Sequence, residues 1–297
     1  MSIVVLGTVA LDDVATPLAR RKEMLGGSAA HFAMSARLFS AVNLVAVIGE
    51  DFPVKYINFL RRKGLNLASL VRAKGKTFRW KGKYQGDLNN ALTLATELGV
   101  LVNFKPHILK EQKRIKNIFL ANVDPDIQMH LLRQIHSPWL VGLDSMNYWI
   151  NHKKRALLRI LKKVDIYLAN DQEAKILSGE DDLLSAARAL YRLGPKMVLI
   201  KKGEHGLLFY SDKFIFSLPA YSVKKIVDPT GAGDTFAGGF MGYLSKAKKI
   251  DAASIKKALV YGTVAASFNV EGFGLERTAR LTMKDLKQRL KKFQSYF

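Results

Sequence analysis

Residues 43–64 read NLVAVIGEDFPVKYINFLRRKG. The first seven, NLVAVIG, form a β-branched run with almost no polar alternation, which predicts a strand covered on both faces. The stretch FPVKYINFLRRKG (52–64) then spaces its apolar residues three and four apart and stops at Gly64, as a helix does when its last turn closes on glycine. The same unit recurs in both directions. SIVVLG (2–7) leads into GGSAAHFAMSARLF (26–39), a helix opened by glycines. Further strands are expected at IKNIFLANV (115–123), PWLVGLDS (138–145), VDIYLAN (164–170) and KMVLIKKG (196–203), each followed by a polar break and most by a helical stretch. Alternation of this kind predicts a doubly wound, mainly parallel α/β sheet flanked by helices.

Two stretches interrupt the alternation. Leu11 to Leu25 departs from the first βα unit, and VRAKGKTFRWKGKYQGD (71–87) with LTLATELGVLVNF (92–104) reads as strands and turns without a crossover helix. The expectation is one domain, 1–297, carrying a small β-rich lid built from about 11–25 and 71–104. Open α/β sheets bind ligands at the carboxyl ends of their strands, where such a flap can close. Phe78, Trp80 and Tyr84 occupy alternate positions of the flap and would share one face. They either close over a sugar or base, or cover the flap's own underside.

Composition narrows the chemistry. The 297 residues include no cysteine, which excludes disulfides, thiolate metal sites and cysteine nucleophiles and favours a reducing cytoplasm. No basic leader opens the chain and no apolar run is long enough to span a bilayer, so no membrane association is expected. Lys+Arg outnumber Asp+Glu by 47 to 25, a formal net charge of +22. These charges are scattered along helix-like stretches such as NHKKRALLRILKK (151–163) and LTMKDLKQRLKKF (281–293), the pattern of solvated helix faces. No nucleic-acid signature accompanies them, and no specific nucleic-acid partner is expected.

The densest signal is DPTGAGDTF (228–236), set directly before the apolar stretch FAGGFMGYL. Gly231, Ala232 and Gly233 at a helix start leave backbone N–H groups without intrahelical partners, at the end where the helix dipole is positive. Small side chains let a phosphate approach those groups. Asp234 is repelled by such an anion, so its expected task is to take the proton of a hydroxyl that attacks the phosphorus. Read as local structure alone, the turn is a helix cap in which Asp228 or Thr230 satisfies donors.

The nine-residue string resembles the C-terminal signature of the ribokinase-like (PfkB) carbohydrate kinases, and the resemblance extends over most of the chain. GTVALD (7–12) is similar to the family's first strand and loop, whose acid, here Asp12, holds substrate hydroxyls. GGSAAHFA (26–33) is similar to its di-glycine signature, which puts Gly26, Gly27 and His31 on the substrate side, with His31 where the family usually has asparagine. NDQE (170–173) resembles the NxxE element, implying that Asn170 and Glu173 hold Mg²⁺ through water beside the triphosphate. KKGEHG (201–206) resembles the TxGxxG turn on the nucleotide side, with Lys201 replacing threonine ahead of Gly203 and Gly206; Thr263 stands where many members present asparagine to adenine.

The resemblance implies an ATP- and Mg²⁺-dependent kinase that phosphorylates a hydroxyl, by analogy a primary one, of a small sugar or sugar-like substrate. A monovalent cation near the cradle and a homodimer joined through the lids are further family traits. A nucleoside kinase is the alternative within the class, its base held by the lid; a non-catalytic basic nucleic-acid-binding protein on a kinase fold is the alternative outside it. Taken without the resemblance, Asp12 and Asp13 are loop acids, His31 is a core histidine, and Lys201 and Lys202 are solvated charges at a strand end.

Overall fold

The computed structural model describes residues 1–86, 88–89 and 91–295. Asp87 and Asn90, inside the stretch expected to form the flap, and Tyr296 and Phe297 lie outside the described residues. In chain order the strands are β1 (Ser2–Leu6), β2 (Ala10–Ala15), β3 (Arg20–Gly26), β4 (Ala41–Gly49), β5 (Asn66–Ala73), β6 (Arg79–Tyr84) and β7 (Ala91–Glu97). They continue as β8 (Asn117–Leu120), β9 (Leu140–Asp144), β10 (Ile166–Asn170), β11 (Met197–Lys201), β12 (Leu207–Ser211) and β13 (Ile215–Leu218). The helices are α1 (Ser28–Ala36), α2 (Val54–Arg62), α3 (Pro125–Leu132), α4 (Asn147–His152), α5 (Lys154–Leu161), α6 (Asp171–Ser178), α7 (Leu183–Arg192), α8 (Ala232–Leu244), α9 (Ala252–Asn269) and α10 (Met283–Gln294).

Nine strands form one sheet in the order β13-β12-β11-β10-β9-β8-β1-β4-β5. From β11 to β5 every pairing is parallel, and β12 and β13 add an antiparallel edge. The strands are apolar on both faces because both faces are covered. Ile3 and Val5 of β1 pack into one core with α1, α8 and α9, while Val4 and Leu6 pack into another with α5 and α7. Each such buried aliphatic side chain contributes on the order of 1.5–3 kcal/mol. Winding reverses between β1 and β8, which are hydrogen-bonded neighbours from which the chain proceeds toward opposite edges. The crevice at the carboxyl ends of these two strands is the natural ligand position in a doubly wound sheet.

A second sheet has the order β3-β2-β6-β7. It starts just past the carboxyl end of β1, so it rises at that crevice. Its boundaries differ from the expected flap at both ends. Val71 to Ala73 finish β5 in the large sheet, paired with Val47 to Gly49, because the apolar run of β4 recruits a parallel neighbour before the chain turns at Gly75. Residues 99–103 form a 3-10 turn whose Leu101 joins the core of the large sheet. Beneath the small sheet lies its own minor core of Val14, Tyr84 and Phe273.

Candidate active site

Between the two sheets runs a cleft of about 360 Å³. Asp12, Gly27, His31, Asn170, Glu173, Gly231 and Asp234 line it, although they come from four separate segments of the chain. Strand ends and helix starts deliver all of them except Asp12, which sits within β2. Gly26 supports the cleft from behind, since a methyl group on it would collide with the Asp12 carboxylate. Gly27, with φ +95°, starts α1 and bonds that carboxylate through its N–H. Burial pushes the Asp12 carboxyl up to about 7, with Asp228 and Asp234 acting in the same direction and the Gly27 bond against it.

The turn before α8 does not cap the helix. Asp228, fully buried, accepts from Thr230 N at 2.9 Å and from Gly274 N at 3.1 Å, so it ties down the loop rather than the helix start. The N-cap is Gly231, with φ +74° and no side-chain cap bond. Ala232 N reaches Pro229 O and Thr235 N reaches Gly231 O, whereas the N–H groups of Gly233 and Asp234 have no acceptor among the described residues. Two free donors at the positive end of a thirteen-residue helix make an anion cradle. The glycines serve neighbours as well as any anion: a methyl group on Gly231 would strike the His31 ring, and one on Gly233 would come within 3.0 Å of Lys201 Nζ.

Asn170 and Glu173 form a reciprocal capping box at the start of α6. Asn170 Oδ1 accepts from Glu173 N at 2.7 Å and Glu173 Oε2 accepts from Asn170 N at 2.7 Å. Local helix chemistry therefore accounts for the spacing of NDQE, and it aims Glu173 into the cleft. Lys201 is not a solvated charge. Its Nζ donates to Asp144 Oδ2 at 2.6 Å, in an ion pair whose side chains are only 17% and 5% exposed. Burial works against the Lys201 charge, but Asp144 and Glu173 outweigh it and raise its pKa. Burial and then Asp144 push the Asp234 carboxyl up to about 7 and Glu173 up to about 8, with Lys201 opposing both.

His31 is 1% exposed and bonds Asn269 through Nδ1 at 3.0 Å, leaving Nε2 without a partner among the described residues. Burial pushes its pKa down to about 4, so the ring is neutral near pH 7. Phe78, Trp80 and Tyr84 all face the cleft, the Trp80 ring lying over Gly82, and Tyr84 Oη accepts from Thr230 Oγ1 at 3.2 Å. Gly203, Gly206 and Thr263 do not line the cleft. Gly203 and Gly206 bound an exposed 3-10 turn that meets Asn89 through Glu204, and Thr263 lies within α9 with its hydroxyl buried and without a partner among the described residues. Sequence reasoning missed Asp144, Asn122, Tyr148 and Trp149. Asp144 had a signal, since it ends a strand on the ligand side; Asn122, whose Oδ1 accepts from Trp149 Nε1 at 3.0 Å, had none.

Residues 5–280 match the family model described as pfkB family carbohydrate kinase. This chain belongs to that family. The pfkB kinases are phosphotransferases with an alcohol group as acceptor, and this member is an enzyme of that kind. A cytidine kinase of Thermococcus kodakarensis is 34% identical over 257 residues, covering 84% of this chain and 91% of the relative. A nucleoside kinase of Methanocaldococcus jannaschii is 24% identical over 262 residues, 86% of this chain and 82% of its own. In three dimensions the M. jannaschii enzyme superposes with a TM-score of 0.78 at 22% identity, covering 98% of each chain. A Burkholderia thailandensis nucleoside kinase, solved with inosine, gives 0.79 at 18% identity over 99% of each. The ribokinase-like fold is common to this chain and the two solved structures. Among the described residues no helix is long and apolar enough to cross a membrane.

Proposed function

We propose that this pfkB-family enzyme transfers the γ-phosphoryl group of ATP to a hydroxyl of a nucleoside. The observation that carries the reading is the lining of the cleft: Phe78, Trp80, Tyr84, Tyr148 and Trp149 surround the same space as the hydroxyl-directed Asp12 and His31. Flat aromatic faces suit a base, and polar tips suit the sugar attached to it. Two relatives that match most of the chain are named cytidine kinase and nucleoside kinase, whereas a Staphylococcus aureus ribokinase matches 41% of it. These observations favour a nucleoside, the alternative within the class, over the small sugar expected first.

Asp234 takes the proton of the attacking hydroxyl, and a carboxyl titrating near 7 is suited to that exchange. The N–H groups of Gly233 and Asp234 stabilise charge on the transferred group. Asp12 and His31 orient the acceptor, and closure of the small sheet excludes water. The donor set also fits Mg²⁺. Three carboxyls, Asp144, Glu173 and Asp234, share the single ammonium of Lys201, and Glu173 Oε1 makes no protein hydrogen bond among the described residues. Asn170 and Glu173 would hold the hydrated ion, which when bound neutralises the phosphates. The test is a phosphorylation screen with ATP over nucleosides, pentoses and polyols. Product from nucleosides supports the reading, and product from free sugars alone contradicts it.

A further inference from the structure

The buried ammonium of Lys201 stands where positive potential already exists. Its side chain runs from the end of β11 toward the first turn of α8, close enough that a methyl group on Gly233 would lie 3.0 Å from Nζ. Beside it are the two free N–H groups of Gly233 and Asp234. A helix start repels a cation, and burial adds to the cost of keeping one there. Asp144 offsets that cost with one hydrogen bond of 2.6 Å, the only one that Nζ makes among the described residues, so two of its three N–H donors remain uncommitted. The charges of Asp144, Glu173 and Asp234 hold the ammonium there, yet only Asp144 takes one of its hydrogen bonds among the described residues. Two spare ammonium donors close to the turn that carries two spare backbone donors are complementary to an anion carrying several oxygens.

We infer that Lys201 is a catalytic residue that donates to a non-bridging oxygen of the ATP phosphate chain, and that Asp144 is the positioning residue that aims it. The inference rests on the kinase reading above. In the transfer, the acceptor oxygen forms a bond to the γ-phosphorus and the bond from that phosphorus to the bridging oxygen of ADP breaks. The hydroxyl proton passes to Asp234. Lys201 keeps its protons throughout and supplies charge. The cradle thus contains a lysine brought from a strand end, in a chain whose sequence shows no lysine in the glycine turn itself.

The test compares the wild-type enzyme with Lys201→Met, Lys201→Arg and the double variant Lys201→Met/Asp144→Asn. The double variant removes both members of the pair, so Asp144 is not left as an unpaired charge and the net charge of the cluster is unchanged. Calorimetric affinities for ATP and for adenosine, both with Mg²⁺, are read beside steady-state turnover. The expected result is a loss of about 10²–10³ in kcat for the double variant, the usual effect of removing one donor to a transition-state oxyanion. Its preference for ATP over adenosine falls at least tenfold while adenosine affinity is unchanged, and Lys201→Arg retains part of the preference. An unchanged preference, or equal losses for ATP and adenosine, overturns the proposal and leaves the pair a structural one. Wild-type ATP binding without phosphorylation of any nucleoside would contradict the acceptor reading alone, because the ATP-to-adenosine ratio still decides the role of Lys201. Failure of the wild type to bind ATP would overturn both.

Discussion

His31 Nδ1 lies 3.0 Å from Asn269 Oδ1, and that contact decides which nitrogen of the ring carries hydrogen. Asn269 donates its Nδ2 to Thr230 O at 2.8 Å, and its Oδ1 also accepts from Thr235 Oγ1 at 3.0 Å. The amide oxygen therefore faces His31, Nδ1 is the donor, and neutral Nε2 offers a lone pair. Under the proposed function, an acceptor at this point would favour a substrate hydroxyl that donates.

Replacing His31 with leucine is expected to raise KM for the nucleoside about three- to tenfold, the effect of one neutral hydrogen bond. KM for ATP should stay at its wild-type value. Steady-state kinetics with each substrate varied in turn measures both, and an unchanged nucleoside KM would return His31 to a packing role.

Trp80→Ala is expected to raise the nucleoside KM roughly tenfold or more, since stacking of a base on an aromatic face contributes on the order of 1–3 kcal/mol. A free pentose, with no extended π face, should be far less affected. Equal effects on both would remove Trp80 from base binding.

Stability should depend on pH through the site itself. Asp12, Asp234 and Glu173 have folded pKa values raised to about 7, 7 and 8. The native state therefore binds more protons than the unfolded chain between the ordinary carboxyl range and about pH 8, and stability falls as pH rises through that window. His31, lowered to about 4, acts oppositely between about 4 and 6.5. Three groups outweigh one, and above pH 6.5 nothing in this set opposes the fall. Thermal scans of ligand-free wild type and Asp12→Asn from pH 6 to 9 should show Tm falling less steeply in the variant. Parallel slopes would mean that Asp12 is ionised in both states throughout.

The net charge of +22 belongs to solvated helix faces on this account. Duplex DNA should bind weakly and without sequence preference, losing its affinity between about 50 and 200 mM salt. Tight, sequence-dependent binding at the higher salt, measured by fluorescence anisotropy, would revive the nucleic-acid reading.

What the sequence made readable is whatever a single segment encodes. The two-faced apolar runs of β1 and β4 specify a parallel sheet, DPTGAGDTF specifies a helix start with free donors, and NDQE specifies a capping box that faces the cleft. Contacts between distant segments carry no such local mark. Lys201 and Asp144 are 57 residues apart and His31 and Asn269 are 238 apart, so a solvated lysine and a core histidine fitted the local patterns equally well. Val71 to Ala73 were misassigned for a related reason. A short β-branched run does not reveal which of two sheets will pair with it, and here the exposed edge of β4 decided.

Asp234 carries the central claim, and one substitution tests it. Asp234→Asn preserves the shape of the side chain and leaves the N–H groups of Gly233 and Asp234 where they are, so ATP affinity should remain within a few-fold of wild type. Turnover with saturating ATP and nucleoside should fall by about 10²–10⁴, the usual contribution of general base catalysis. A variant that binds ATP normally and turns over at the wild-type rate would contradict the assignment.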